Sequence, residues 1–552
     1  LLVSCFAVAG CDENGNVFSD DLIDDDPPGA VSSPTVTFSE NAPLAAVLSL
    51  TTDEPTEVTV EVAGNTAVTN SATSGARDFT VPGNGLATEH AITLLGFRPD
   101  ESYTVHVMLK DNAGNETVLN DIGVTTAPLP LGFPPIHIET SIPELMEPGV
   151  TIFPVRASGA NLAFGGVFVA VDQTGEVVWY RRFQNIGYGD IRRISNGNFL
   201  FIRDDSVITE MDVLGNIVRE WHTTLNTSPS PGSIPVNIPV FHHEVFEMDN
   251  GNFLVLNVEL RAFENYPTSD SDPEAPLATA VIAGDEVVEF SPTDGTIVNR
   301  WSLLDLLDPF RIGYDSLGGF WNGTFPEIEG GTRDWAHANA VIHDPADDSI
   351  IVSLRHQDAI VKFSRQTGQI IWILGTHDNW DPVEFGSFLL DPVGDPFLFE
   401  YHPHAPEVTE DGTIVLYDNG NFKATPFAPK LLAPDNFSRA VEYSIDEATM
   451  QVAQVWEFGQ FDDPVRFAPF IGDADMQPLT GNVVITHGGV TTDAEGMPSD
   501  SIPTSKTSVY IIEVTHTTPG QKVFELSIVD PTPETANGWT TYRSERLPSL
   551  YP

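Results

Sequence analysis

The chain is predicted to be all-β: a six-bladed β-propeller preceded by a small Ig/fibronectin-III-like β-sandwich. Three observations carry that expectation. One hairpin unit recurs six times, a second strand pair precedes five of the six copies, and no helical periodicity separates them. With 552 residues, 41% of them apolar, and with 44 Gly and 43 Pro, the chain can bury large cores and make many turns.

The recurring unit is an apolar strand, a polar turn usually closed by glycine, and a second strand ending in an aromatic. The first three copies are Val167 to Tyr180 (turn Thr174-Gly175), Val207 to Trp221 (Leu214-Gly215) and Glu286 to Trp301 (Asp294-Gly295). The last three are Ala359 to Trp372 (Thr367-Gly368), Ala440 to Trp456 (Asp446 to Thr449) and Val509 to Phe524 (Pro519-Gly520). Glycine supplies the positive φ that tight hairpins demand. The preceding pairs turn at Asn196-Gly197, Asn250-Gly251, Asp347-Asp348, Asp411-Gly412 and Thr480-Gly481. Two pairs make a four-stranded sheet, and six such sheets make a propeller. The first sheet is expected to take its inner strands from Thr151 to Arg156 or from the C-terminus. Leu260 to Gly284 and Leu303 to Arg333 read as insertions.

Ahead of the repeats, Pro34 to Thr126 alternates in short segments such as Val58 to Val62 and Tyr103 to Val107. Leu95 to Tyr103 resembles the corner before a late strand of a fibronectin type III sandwich. The plan is therefore a truncated lipoprotein signal at 1–11, an acidic flexible linker at 12–33, a sandwich at 34–128 and the propeller at 129–552.

The apolar run Leu1 to Gly10 ends Val8-Ala9-Gly10-Cys11, like a bacterial lipobox. Cys11 is expected to be lipidated, which predicts an exported periplasmic or cell-surface lipoprotein that meets the membrane only through its anchor. The run is too short to span a bilayer. Only Cys5 and Cys11 exist, and processing leaves Cys11 alone, so disulfides, Cys-ligated zinc and a thiol nucleophile drop out. A net charge of −54, from 79 acids against 25 bases, excludes nucleic acid as a partner. Those acids are spread along the chain, as on a solvated acidic surface.

Within the repeats, His243 and His404 each lie eight residues before a turn glycine, Gly251 and Gly412, and His337 opens a third copy. A single histidine in a β-protein is ordinarily a surface or hydrogen-bonded residue. Packing gives no reason to choose imidazole at three matching positions, so these three are expected to converge at one channel mouth. Their neighbours His242 and His402 are expected to orient them or line the entrance. Antiparallel pairing returns Arg355 beside His337, and its five donors suit a tetrahedral oxyanion, although a salt bridge would explain it too. Asn339, two residues after His337, is expected on the same face, and Thr486 ends the sixth inner pair. Asp473 occupies the eight-before-glycine slot ahead of Gly481. His243, His337, His404 and Asp473 could instead hold a metal, which Arg355 would oppose. The aromatic insertion Phe310 to Phe325 either walls a pocket for a flat ring or packs the surface.

Taken together, Gly175 to Tyr180, Phe241-His242-His243-Glu244, His337-Ala338-Asn339 and Ser353 to Asp358 resemble the bacterial arylsulfate sulfotransferases that need no nucleotide donor. So do His404 through Tyr417-Asp418-Asn419-Gly420 and the tail Tyr542 to Arg546. The resemblance implies ping-pong transfer of a sulfuryl group from an aryl sulfate donor to a phenolic acceptor, without cofactor or metal. It makes His404 the nucleophile. It gives His243, His337, Asn339 and Arg355 sulfate-binding and acid/base roles, and Thr486 and Tyr542 further substrate contacts. The chain departs from enteric members by lacking a disulfide and carrying a lipobox, and a homodimer stays open. Read from the residues alone, a metal-dependent propeller enzyme and a non-catalytic surface-binding propeller remain the alternatives.

Overall fold

A computed structural model describes residues 24–64, 79–81, 84–184, 189–532 and 538–552. Cys5 and Cys11 lie outside the described residues, as does most of the acidic linker. The chain divides into two compact units, Leu1–Pro128 and Leu129–Pro552. No described helix is long and apolar enough to cross a membrane.

The first unit is built on one long strand, Ala45–Gly64. Its first part pairs with Ala87–Leu95 and its second with Ser102–Asp111, so a single strand serves both faces of the unit. The second part alternates strictly, with Val58, Val60 and Val62 buried while Glu57, Thr59 and Glu61 face solvent. The corner expected at Leu95 to Tyr103 is present. The buried Tyr103 hydroxyl accepts the Arg98 backbone N–H at 2.7 Å, and Phe97 packs edge-on against Phe38, Phe79 and Tyr103.

The described strands of the second unit form six sheets of four or five strands. The six hairpins read from the sequence form the middle and outer strands, and the preceding pairs supply the inner ones. Turn glycines such as Gly251 (φ 80°) and Gly412 (φ 76°) hold the left-handed backbone that the tight connections require. The first sheet takes its inner strands from both expected sources. Val150–Ala157 pairs outward with Gly166–Val171 and inward with Trp539–Thr540 and Glu545–Leu547. Ile136–Ser141 adds an outer strand to the sixth sheet by pairing with Lys522–Ile528, so the ring is closed from both ends of the unit.

Both insertions have defined structure. Leu260 to Gly284 is not a loop off the sheet: it extends the third sheet's strands Phe253–Tyr266 and Ala278–Phe290, paired out to Tyr266 and Ala278. Leu303 to Arg333 carries the short helix Leu303–Leu306 and the turn Phe320–Gly323, and packs Trp321 and Phe325 against Val240, Val258 and Ala283.

The inner strands run between two cavities. Residues at their start, including His337 and His404, line one of about 620 Å³. Residues farther along, including Ile342, Glu407 and Asp475, line a second of about 900 Å³. The buried guanidinium of Arg543 is bound to Asp190, in the lining of the second cavity, at 3.0 Å and to Glu244 at 2.9 Å.

Candidate active site

The three histidines do share a cavity, but they reach it by different backbone routes. Spacing equates His243 with His404. In the sheets, His404 pairs with Tyr417, five residues after Gly412, whereas the residue paired five after Gly251 is His242. His243 sits one residue further on, inside a bulge and in the left-handed region (φ 60°). His337 (φ 49°) and His402 (φ 54°) are left-handed as well. Each such non-glycine residue costs roughly 1–3 kcal/mol, and such strain concentrates where side chains are aimed for function.

The His404 tautomer follows from its neighbours. The Asn419 amide donates to the carbonyl oxygens of Ala468 (2.8 Å) and Ile471 (2.9 Å), which leaves its Oδ1 facing His404 Nδ1 at 2.6 Å. An amide oxygen only accepts, so Nδ1 carries the proton and Nε2 keeps its lone pair. Burial first, then the Arg355 charge, push His404 well below the usual histidine range, so the ring is neutral.

His337 donates from Nδ1 to Asp334 Oδ2 at 2.6 Å, and the other Asp334 oxygen accepts the Trp321 indole N–H at 3.1 Å. Burial raises the Asp334 carboxyl, but the neighbouring His337, His356 and Arg355 outweigh it and hold it below its ordinary value. His243 packs edge-on against His337 at 4.8 Å, and its Nδ1 lies 2.9 Å from His242 Nδ1. Burial keeps both of these rings neutral, His242 down to about 3. Arg355 follows the strand Ser349–Leu354. It donates to Pro469 O at 3.0 Å and lies 3.6 Å from Asp315, which leaves further N–H groups for a ligand. His402 does not line the cavity. Its Nδ1 donates to Asp358 at 2.8 Å and its Nε2 lies 3.4 Å from Asp315, behind Arg355. Two carboxylates overcome burial there and raise its pKa.

Tyr542 joins the lining, with its hydroxyl donating to Asn339 O at 3.0 Å. Leu162, Phe320, Phe470, Ile471 and Ile502 supply an apolar wall. Phe320 of the aromatic insertion stands edge-on to His337 at 4.8 Å, so the insertion both walls the cavity and packs beneath it.

Two expected contacts are not brought to this cavity. A register shift between Ala338 and Ala340 turns Asn339 off the His337 face, and its amide donates to Pro403 O at 2.8 Å. Thr486 is fully buried against Ser544, 2.6 Å away. Asp473 lines the second cavity, where it accepts Ser544 N–H at 3.3 Å, so the set His243, His337, His404 and Asp473 does not assemble. Asp334, His337 and His356 do lie close enough to hold an ion, with ligand atoms within 4.8 Å of one another. Their Nδ1 atoms are already committed, His337 to the Asp334 carboxylate and His356 to Asp334 O at 2.8 Å. A cation held through those Nδ1 atoms would have to displace their protons, and one held at Nε2 would stand beside the Arg355 charge.

Sequence reasoning passed over Asp334, His356, Asn419 and Asp315. Asp334 stands three residues before His337 and His356 directly follows Arg355, so proximity was a usable signal for both. Asn419 and Asp315 reach the site from other loops, and nothing in the spacing marks them.

A family model described as Arylsulfotransferase (ASST) matches residues 145–542, and one described as Arylsulfotransferase Ig-like domain matches residues 33–127. The arylsulfate sulfotransferase AssT of Escherichia coli O6:H1 is 28% identical over 345 residues, covering 52% of each chain. AssT of Lelliottia amnigena is 27% identical over 351 residues, covering 56% of this chain and 53% of the relative. The chain thus spans about half the length of the curated relatives it matches. Among solved structures, the periplasmic gluconolactonase PpgL of Pseudomonas aeruginosa aligns at a TM-score of 0.30 and 11% identity, over 88% of this chain and 99% of that one, too distant to carry an argument. On the extent of the first match, the chain belongs to the arylsulfotransferase family.

Proposed function

We propose that the protein is an arylsulfate sulfotransferase that moves a sulfuryl group between phenols through a sulfohistidine at His404. One observation carries the reading: the Asn419 clamp leaves the His404 Nε2 lone pair without a hydrogen-bond partner among the described residues, in a cavity that also holds Arg355. In the first half-reaction Nε2 forms a bond to sulfur as the sulfur–oxygen bond to the aryl group breaks. The electron pair leaves on the phenol oxygen, which takes a proton from His337 Nε2. The sulfurylated ring is cationic and keeps its Nδ1–H on Asn419. In the second half-reaction an acceptor phenol loses its proton, attacks sulfur, and returns the nitrogen–sulfur pair to His404. Arg355, with five fixed donors, holds the sulfuryl oxygens, and the wall around Phe320 takes the ring. Asp334 accepts the Nδ1 hydrogen bond of His337 in either protonation state, so the ring can give and take a proton at Nε2 without turning.

The test is phenolate release from an aryl sulfate, with and without a second phenol, in the presence of a chelator and without nucleotide. The expected result is acceptor-dependent turnover, a single-turnover burst without acceptor, and a gain of one SO₃ group on the peptide bearing His404. His404→Ala abolishes all three. Burst and turnover that survive His404→Ala refute the nucleophile, and activity lost to the chelator moves the assignment to a metal at Asp334, His337 and His356. We also propose export and lipidation at Cys11, for which the lipobox-like run is the support; metabolic labelling with a fatty acid that fails to mark the chain removes that proposal.

A further inference from the structure

We infer that His356 is a second catalytic base, which takes the proton of the acceptor phenol while His337 serves the leaving phenol. This rests on the sulfotransfer reading and divides its acid/base chemistry between two rings. His337 and His356 stack, with centroids 4.8 Å apart and planes at 26°. Both are tied through Nδ1 to one residue: His337 to Asp334 Oδ2 at 2.6 Å, His356 to Asp334 O at 2.8 Å. Near-parallel rings tethered on the same side turn both Nε2 atoms the same way, and both residues line the cavity. A carbonyl and a carboxylate only accept, so each Nδ1 holds a proton, which leaves the Nε2 of His337 to carry the proton for the leaving phenol and the Nε2 of the neutral His356 to accept one. Among the described residues, the Nε2 of His356 has no hydrogen-bond partner.

The position of His356 is held from behind as well as from the side. Its backbone N–H donates to Ala336 O at 2.9 Å, and Gln357 donates to Trp335 O at 2.8 Å. Gly313 of the insertion lies against His356 O so closely that any Cβ there would collide with it. The charged groups facing the ring are Asp334, His337, Arg355 and Asp315, with His402 beyond at 5.9 Å. Burial first, and the His337 charge among the rest, push His356 down to about 3, so two adjacent imidazoliums are disfavoured. The order of the chemistry follows. When His337 gives its proton to the leaving phenol it becomes neutral, and one of the charges that suppressed proton uptake by His356 is gone. The acceptor phenol then passes its proton to His356 Nε2 as its oxygen attacks the sulfur on His404. The cycle closes when that proton returns to His337 Nε2 through water in the cavity.

The experiment replaces His356 by glutamine, whose amide can still donate to Asp334 O but cannot take a proton, and measures the two half-reactions apart. The burst is expected to reach one phenolate per chain. Turnover with a weakly acidic phenol falls about 10²-fold or more, the usual range for removing a general base. Turnover with a nitrophenol that is already ionised falls less than about fivefold, since it brings no proton to remove. An equal fall for both acceptors, or a burst well short of one per chain, overturns the inference and makes His356 a structural support. If the variant does not fold by circular dichroism, the unaltered chain decides: separate pH profiles for burst and desulfurylation support two groups, and one shared profile overturns them. Absence of any burst from the unaltered chain would instead refute the sulfotransfer reading itself.

Discussion

Replacing Asn419 by alanine tests the tautomer clamp on His404, the proposed nucleophile. The side chain makes three hydrogen bonds of 2.6 to 2.9 Å, one to His404 Nδ1 and two to the carbonyls of Ala468 and Ile471. Ala468 O retains Ser438 Oγ at 3.3 Å, so the loss of stability is about 2–3 kcal/mol, read as a shift in the urea midpoint. The effect on rate has two sources. The bond to His404 is neutral in the resting protein, at about 1 kcal/mol, and charge-assisted once the ring is sulfurylated, at about 1.5–3 kcal/mol. Losing that difference slows the first half-reaction roughly 3- to 30-fold. A ring free to carry its proton on Nε2 costs up to about another factor of three when the tautomers become comparably populated. The Asn419→Ala burst, followed by stopped flow and corrected for the folded fraction, is therefore expected to be about 3- to 90-fold slower at unchanged amplitude. A burst rate within about twofold of the unaltered chain would show that the clamp does not govern the nucleophile.

Three further outcomes are expected. Asp334→Asn removes the charged partner of His337 and lowers turnover about 10²-fold or more, with the larger loss for donors whose phenol leaves poorly; equal losses across leaving groups would contradict the acid role. Phe320→Ala opens the aromatic wall and raises KM for aryl sulfates about 3- to 30-fold with little change in the chemical step, read from initial rates. His402 has a raised pKa in the folded chain, so the stability it contributes is fully present below about pH 6.5 and is lost as pH rises through the folded value. Urea unfolding from pH 6 to 9 is expected to show that alkaline loss, and His402→Gln, less stable at pH 6, is expected to flatten it. Parallel curves for the two proteins would contradict the assignment.

The hairpins and their turns were legible because glycine and polar pairs punctuate apolar strands at regular intervals. Convergence of His243, His337 and His404 on one cavity followed from the same repeat. What spacing could not show was how each backbone enters its sheet. Bulges and left-handed residues carry His243 into the cavity one residue past the position that spacing equated with His404, and a similar shift carries Asn339 away from it. Asp473 shows the same limit, since it shares the pairing slot of His404, opposite Thr486, yet lines the other cavity. The partners that fix tautomers are set by local hydrogen bonds rather than by periodicity. Asn419 acts across two loops, and Asp334 binds one ring through its carboxylate and another through its carbonyl.

The strand pairing that closes the first sheet has a consequence for when chemistry becomes available. Tyr542 lines the cavity between two short strands, both paired with Val150–Ala157, which lies nearly four hundred residues earlier. Contacts of such sequence separation are slow to form, because the loop they close must be ordered before they repay it. Five of the sheets can acquire their hairpins while this seam is still open. Until it shuts, the cavity lacks a wall, and the anion would meet His404 in bulk water rather than in an enclosed site. On the proposed mechanism, completion of the ring and onset of reactivity are then one event, which keeps the His404 imidazole out of play in a chain still finding its shape.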